Sequence, residues 1–144
     1  MSLLIDRYDA ALFDLDGVIY LGSEAVVGAP EGMAALRKLG VKVAFVTNNA
    51  ARPPQTVVDH LVSLEIEAHL TDVVTSAQAG ARMLKERLEP GSTVFVVGTE
   101  ALADEIRAVG LKVVYEIDPT PDAVIQGYDP EMTQPRLDLG GLAI

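Results

Sequence analysis

The sequence lacks the residues on which several classes of protein depend. It contains no cysteine, which excludes a disulfide framework and a thiolate zinc site. Its two histidines have no nearby ligand partner: His60 falls in an amphipathic helical segment and His69 in a loop, so we expect both to be structural or solvated. No G-x-x-x-x-G-K-[ST] and no G-x-G-x-x-G motif occurs, so the glycine-rich phosphate loops of nucleotide-binding proteins are absent.

Positive charge is also scarce. The chain has 11 lysines and arginines against 21 aspartates and glutamates, which gives a formal net charge of -10. An acidic surface repels nucleic acid and anionic lipid, so we expect neither as a partner. Because it also repels a phosphorylated substrate, a phosphate site here would need a metal ion or a local array of hydrogen-bond donors.

Long hydrophobic runs are missing as well. No segment approaches the length of a membrane span, and the N-terminal "MSLLIDRYDA" has no apolar stretch of the kind found in signal peptides. The 144 residues are 49% hydrophobic and 22% charged, which is typical of a folded globular protein of about one domain. We therefore predict a soluble cytoplasmic protein.

Short β-rich runs alternate with amphipathic helical runs along the chain. This alternation predicts an α/β fold with a mostly parallel sheet and right-handed crossovers. In such folds ligands bind beyond the carboxyl ends of the strands, where Asp14, Asp16, Thr47, Asn48 and Ser76 all fall. Strands are predicted at 10–16, 41–47, 72–76, 93–98, 112–116 and 123–127, and helices at 29–40, 54–64, 77–88, 100–110 and from about Glu131.

Two aspartates and a glycine end the first predicted strand. Asp14 and Asp16 would share one face of a strand, where two like charges cost free energy that a divalent cation such as Mg²⁺ removes. Gly17 allows a sharp turn that brings backbone N–H groups close to an anion. One carboxylate of such a site can attack an electrophile while the other handles protons. The same residues fit an Asx turn that simply ends the strand equally well.

A hydroxyl and two amides, Thr47, Asn48 and Asn49, end the next predicted strand. If the two strands are parallel neighbours, Thr47 lies beside Asp14. Its hydroxyl and the following backbone N–H groups then form a natural clamp for phosphate oxygens. An N-cap for the following helix explains one of these polar residues well, and three in a row less well.

Together, "DLDGVIY" and "VTNN" resemble the first two motifs of the haloacid dehalogenase superfamily of phosphohydrolases, in its NagD-type and p-nitrophenyl phosphatase-like branch with a type IIA cap. The segments "LGSEAVVGAPEGMAALRKLG", "VVTSAQAGARML" and "VFVVGTEALADEIRAVG" are similar to that branch too, so the resemblance covers nearly the whole chain. It implies a Rossmann-like core, with a parallel sheet in three layers, and an inserted α/β cap. Residues 1–90 would be the N-terminal part of the core, and residues 91–144 the first half of the cap.

The resemblance also implies a role for each matched residue. Asp14 would be the nucleophile that forms an aspartyl-phosphate, and Asp16 would protonate the leaving group and then activate water. Mg²⁺ would bind a carboxylate oxygen of Asp14 and the backbone carbonyl of Asp16. The implied function is a magnesium-dependent phosphatase of small phosphorylated metabolites. The phosphoryl group would be held by four residues: Leu15, Gly17, Thr47 and Asn48.

Two further motifs of the family have no counterpart in this sequence. One is a lysine in a Gly-Lys-Pro setting, and the other is an acidic Gly-Asp-x-x-x-x-Asp cluster, to which "GYDPE" is the nearest segment. We therefore expect the chain to be the N-terminal half of a longer phosphatase. Such a half should expose an apolar sheet edge and face, which would favour association, including with a second copy of the chain. The alternative is a catalytically incomplete α/β module that binds phosphate weakly or acts only through association.

The last predicted helix contains two consecutive glycines, Gly140 and Gly141. Each costs about 1 kcal/mol relative to alanine in a helix interior. We expect this pair to disfavour the helix.

Overall fold

The computed structural model describes residues 4–143, which divide into two compact units. The first unit contains the residues up to Thr47 together with Pro54–Val74, and the second contains Asn48–Pro53 and the residues from Thr75 onward. The predicted α/β class is confirmed, since helices alternate with parallel strands in both units. The predicted division after residue 90 stays a prediction; the chain passes between the compact units after Thr47, Pro53 and Val74. Among the helices of residues 4–143, none has the length and apolar character of a membrane span.

The first unit is built around a three-stranded sheet in the order β1–β4–β5, and β1 pairs with β4 in parallel. All the predicted strands and helices of this unit are present, whereas its hairpin and its two 3-10 helices were not predicted. The elements in chain order are a 3-10 helix at Leu4–Arg7, β1 (Ala10–Asp14), a hairpin of β2 (Tyr20–Leu21) and β3 (Glu24–Ala25), α1 (Ala29–Lys38), β4 (Lys42–Thr47), α2 (Pro54–Ser63), a 3-10 helix at Leu70–Asp72 and β5 (Val73–Thr75).

One face of this sheet is buried and the other is exposed. Phe45 and Val43 of β4 lie in a core cluster with side chains from α1 and α2. On the opposite face, Leu12 of β1 is 73% exposed and Val46 of β4 is 39% exposed. β1 also forms an edge of the sheet. The expectation of an exposed apolar sheet edge and face is therefore confirmed.

The second unit is a parallel three-stranded sheet in the order β7–β6–β8. Its central strand β6 is buried on both faces: Val94 and Val96 pack in one cluster with residues of α3 and α4, and Phe95 and Val97 pack in another with Ala143. Burial on both faces explains the continuous apolar run in this strand. Its elements are α3 (Ser76–Arg87), β6 (Thr93–Val97), α4 (Glu100–Ala108), β7 (Lys112–Val114), β8 (Ala123–Gln126) and α5 (Gln134–Leu142).

The last helix begins later than predicted. Asp129 closes a turn ahead of it, because its carboxylate accepts the N–H of Glu131 at 2.9 Å and its carbonyl accepts the N–H of Met132 at 3.2 Å. The helix therefore starts after Thr133 rather than near Glu131.

Three helices end in the same hydrogen-bonded motif but with different residues at its left-handed position. After α1 and α4 this position is a glycine, Gly40 with φ of 75° and Gly110 with φ of 87°. After α2 it is Glu65, with φ of 61°, and the N–H of Ile66 closes the motif on the carbonyl of Leu61 at 3.0 Å. A side chain with a Cβ is disfavoured in this conformation, so the end of α2 is strained relative to the other two.

Replacing Glu65 by glycine is expected to raise the free energy of unfolding by about 1 kcal/mol, because the left-handed conformation then costs nothing beyond the chain entropy of glycine. Gly40→Ala, at the equivalent position after α1, is the matched control and should lower it by a similar amount. Urea denaturation followed by circular dichroism measures both changes. An unchanged midpoint for Glu65→Gly would show that Glu65 makes a compensating interaction.

Candidate active site

The turn after β1 holds two carboxylates at the surface on either side of a buried anchor. Asp14 is the last residue of β1, and its side chain and that of Asp16 are both exposed. The side chain of Leu15, between them, is 0% exposed and belongs to the core of the first unit. Oδ1 of Asp14 accepts the N–H of Leu15 at 2.8 Å. Packing of Leu15 therefore sets the position of both carboxylates relative to the sheet.

The backbone of this turn is organised around the carbonyl of Leu15. That oxygen accepts the N–H of Ile19 at 2.9 Å and the N–H groups of Val18 and Tyr20 at 3.2 Å. Gly17, with φ of 78°, supplies the left-handed residue that lets the chain reverse, and its N–H donates to the carbonyl of Tyr20 at 2.8 Å. Two backbone hydrogen bonds of Tyr20 thus close the turn, one donated to Leu15 and one accepted from Gly17.

The end of β4 lies next to the end of β1. The register pairs Asp14 with Val46, so Thr47 follows by one residue at the carboxyl end of the neighbouring strand. Asp14 and Thr47 therefore meet at the same edge of one sheet, as the sequence predicted. The two side chains differ in burial, because Thr47 is 3% exposed whereas Asp14 is exposed.

The other predicted phosphate ligands have their own partners within the chain. The N–H of Leu15 donates to Asp14 and that of Gly17 to Tyr20, so both groups are engaged inside the turn. Asn48 is the first residue of the second unit, and its carbonyl accepts the hydroxyl of Ser76 at 2.8 Å. The phosphate-binding roles of these residues stay predictions.

The donor set of the turn suits a small hard cation. Asp14 offers carboxylate oxygens and Asp16 a backbone carbonyl, and Mg²⁺ in proteins commonly takes one or two carboxylates, with water and substrate phosphate completing its shell. Within residues 4–143 no three side chains of His, Cys, Asp or Glu converge as a metal cluster. The turn therefore fits Mg²⁺ as part of a coordination shell.

Sequence reasoning missed the hairpin that follows the turn and the residue that contacts it. Nε2 of His60, on α2, lies 3.0 Å from the carbonyl oxygen of Gly22, and its ring packs edge-on against Tyr20 with a centroid distance of 4.6 Å. The available signal was the Gly-Ser pair in "YLGSEA", which is typical of a hairpin turn.

The second unit has an open cavity of about 650 Å³ beside the ends of β6 and β8. At its rim Glu100 accepts hydrogen bonds from Arg107 and from the hydroxyl of Tyr115, the latter at 2.9 Å. The Arg107 guanidinium and, after it, the Tyr115 hydroxyl hold the pKa of Glu100 below its usual value, while burial is the main reason that the pKa of Tyr115 is raised. Arg136 donates to the carbonyl of Gly98 at 2.9 Å and lies 5.6 Å from the Tyr115 ring. Glu100 thus pairs with Arg107, and Arg136 lies 3.7 Å from the carboxylate of Asp129. None of the predicted site residues is among the described residues that line the cavity.

Several known proteins similar to this chain are phosphatases. The model of the haloacid dehalogenase-like hydrolase family matches residues 11–112. The D-glycerol 3-phosphate phosphatase of Mycobacterium tuberculosis is 42% identical over 144 residues, which are 100% of this chain and 39% of that protein. An acid sugar phosphatase of Staphylococcus saprophyticus is 35% identical over 138 residues, which are 96% of this chain and 52% of that protein.

Solved structures show the same fold. The crystal structure of the glycerol phosphate phosphatase of Mycobacterium tuberculosis in complex with magnesium matches with a TM-score of 0.90 at 40% identity, covering 99% of this chain and 43% of that one. A putative p-nitrophenyl phosphatase from Bacillus subtilis matches with a TM-score of 0.81 at 35% identity, covering 94% of this chain and 51% of that one. The chain thus spans about half the length of these relatives, or less. Since the family model matches most of the chain, including the turn after β1 and the end of β4, this chain belongs to the haloacid dehalogenase-like hydrolase family.

Proposed function

We propose that this chain carries the nucleophile of a magnesium-dependent phosphatase that hydrolyses small phosphorylated metabolites through an aspartyl-phosphate intermediate. One observation carries the proposal: Asp14 and Asp16 flank the buried Leu15 at the carboxyl end of β1, beside the end of β4 with Thr47. A nucleophile, a proton carrier and a hydroxyl donor are the groups that phosphoryl transfer requires at one place. The similarity to known phosphatases supports the same chemistry.

Each of the two carboxylates has a separate task in this mechanism. A carboxylate oxygen of Asp14 attacks phosphorus, so that an acyl-phosphate bond forms while the bond to the leaving oxygen breaks. Asp16 in its acid form gives a proton to that oxygen, and the alcohol departs. As a carboxylate, Asp16 then takes a proton from the water that attacks the phosphorus. Inorganic phosphate leaves and the carboxylate of Asp14 is restored.

Charge is the main obstacle to this reaction, because an anionic nucleophile approaches an anionic phosphoryl group in a chain of net charge -10. Bound Mg²⁺ would supply charge neutralisation at the nucleophile and at the phosphoryl oxygens. The carboxylate of Asp14 and the carbonyl of Asp16 would hold it. The Thr47 hydroxyl would donate to a phosphoryl oxygen. This hydrogen bond lowers the activation barrier only to the extent that it is stronger in the transition state than with bound substrate.

The substrate is proposed as a class only. The similar proteins are a glycerol 3-phosphate phosphatase, an acid sugar phosphatase and a putative p-nitrophenyl phosphatase. The feature common to the substrates of such enzymes is a phosphoester linkage. A cytoplasmic location and self-association through the exposed face of the β1–β4 sheet belong to the same proposal.

The second candidate is a catalytically incomplete module that binds phosphate without hydrolysing it. It rests on one observation: among residues 4–143 no third carboxylate or imidazole joins Asp14 and Asp16 in a metal-binding cluster. The similarity to known phosphatases favours the first candidate over it. A shell with only part of its ligands would hold Mg²⁺ and phosphate weakly.

Hydrolysis of p-nitrophenyl phosphate by the 144-residue chain distinguishes the two candidates. We expect p-nitrophenol release with Mg²⁺, its loss on addition of EDTA and its return with excess Mg²⁺. Binding of orthovanadate, an analogue of the transferring phosphoryl group, is measured in parallel by calorimetry. Magnesium-dependent vanadate binding without hydrolysis would support the incomplete module, whereas the absence of both hydrolysis and binding would contradict both candidates.

A further inference from the structure

The turn that carries Asp16 continues directly into a very short hairpin. Asp16 and Tyr20 form an isolated β-bridge, and Tyr20 is also the first residue of β2. The hairpin then has only two residue pairs, Tyr20 with Ala25 and Leu21 with Glu24. A hairpin this short is unstable by itself in water, so its position depends on contacts with the rest of the unit.

His60 makes two such contacts from α2. Its Nε2 lies 3.0 Å from the carbonyl oxygen of Gly22, at the tip of the hairpin. A carbonyl can only accept, so Nε2 carries the proton and donates it. Its ring meets the ring of Tyr20 at an interplanar angle of 75°, which is the favoured edge-to-face arrangement. Tyr20 is itself buried, at 6% exposure.

These contacts connect α2 to the turn through a short path. Tyr20 donates its N–H to the carbonyl of Leu15 and accepts the N–H of Gly17 on its own carbonyl, at 3.2 Å and 2.8 Å. Holding the Tyr20 ring and the hairpin tip therefore also holds both ends of the segment that contains Asp16. All of these residues belong to the first unit.

We infer that His60 is a positioning residue for Asp16, acting through Tyr20 and Gly22. The inference rests on the proposed function, because the task of Asp16 is the transfer of a proton to the leaving oxygen. A displaced Asp16 matters little for a good leaving group, such as p-nitrophenolate, and greatly for a strongly basic one, such as the alkoxide of glycerol.

The leaving-group dependence of hydrolysis is the first test. We expect His60→Ala to lower kcat about 30-fold with glycerol 3-phosphate but only about threefold with p-nitrophenyl phosphate, with small changes in KM. His60→Gln keeps a donor for Gly22 and should recover part of the loss, while His60→Phe keeps only the ring contact with Tyr20. His69→Ala is the matched control, because His69 is the other histidine of this unit and lies exposed beside Glu67. Equal losses with the two esters would overturn the inference.

Hydrogen exchange provides a test that needs no activity. In His60→Ala the N–H groups of Gly17 and Tyr20 should exchange about tenfold faster, measured by NMR, while the amides of β4 keep their rates. Equal acceleration at all these amides would mean that His60 contributes only to global stability, and no acceleration would mean that it does not hold the turn. If the unmodified chain hydrolyses neither ester, the proposed function fails, but exchange still decides whether His60 holds the turn.

Discussion

Asp14→Asn is expected to abolish phosphoester hydrolysis, with a loss in kcat of about 10³-fold or more, equivalent to about 4 kcal/mol of barrier. An amide has almost no nucleophilicity at its oxygen, so the acyl-phosphate cannot form. The substitution should leave the fold intact, because the carboxamide oxygen can still accept the N–H of Leu15, which Oδ1 of Asp14 accepts at 2.8 Å. Initial rates with p-nitrophenyl phosphate and Mg²⁺ measure the effect.

Asp9→Asn is the matched control for this change. Asp9 lies just before β1, and its backbone carbonyl accepts the N–H of Lys42 at 3.0 Å. The same loss of one negative charge at Asp9 should leave the rate within about twofold, because an exposed charge is screened by solvent. Mass spectrometry of acid-quenched samples should detect one phosphoryl group on the unmodified chain and none on Asp14→Asn. Activity that survives Asp14→Asn would remove Asp14 as the nucleophile.

Gly140→Ala and Gly141→Ala are expected to change stability in opposite directions, although both residues lie in α5. A Cβ on Gly140 would lie 2.5 Å from Cγ2 of Val97, which is closer than two non-bonded carbon atoms normally approach. The clash should cost about 2 kcal/mol after the gain in helix propensity is subtracted. A Cβ on Gly141 would meet no atom of the described residues within 4 Å, so alanine there should stabilise the protein by up to about 1 kcal/mol.

Thermal unfolding of the two variants measures this difference. A double-mutant cycle with Val97→Ala locates its cause, because removing Cγ2 of Val97 should reduce the cost of Gly140→Ala by about half or more. Shifts of the same sign for the two alanine variants would show that α5 does not pack on β6 through Gly140.

Residue type alone does not distinguish the packing of the two glycines in α5. Propensity alone makes Gly140 and Gly141 equally unfavourable in a helix, yet α5 runs through both, to Leu142. Gly140 is buried and allows the close approach of the helix to Val97, and nothing in the local sequence separates it from its neighbour. Tertiary contact overrides propensity here, and only the packed structure shows which glycine is needed.

The parts of the candidate site that were predictable follow from strand order. Alternation of strand and helix implies parallel pairing, and parallel pairing brings the ends of consecutive strands to one edge, so Asp14 and Thr47 could be placed together. The pairing of Asp14 with Val46, and the burial of Thr47, depend on register and packing, which the pattern does not contain. The hairpin after the turn was missed because two-residue strands are too short to show a period.

The division of the chain into compact units also depends on packing. The resemblance implies a boundary between residues 90 and 91, and this boundary stays a prediction. The chain enters the second compact unit after Val74, and α3, which packs against α4, belongs to that unit. Composition detects a turn, but the partner of a helix decides which unit it joins.

The hydrogen bonds to the carbonyl of Leu15 limit the changes in length that this loop can accommodate. Because the carbonyl oxygen of Leu15 accepts three N–H groups, the backbone conformation from Asp14 to Tyr20 depends on the number of residues between them. Val18, which is 46% exposed, could be exchanged for many residues without moving either carboxylate. Removing or inserting a single residue would shift Asp16 relative to Asp14, even if every other side chain were kept. In this loop, chain length therefore matters as much as residue identity for the placement of the two carboxylates to which we assign catalytic roles.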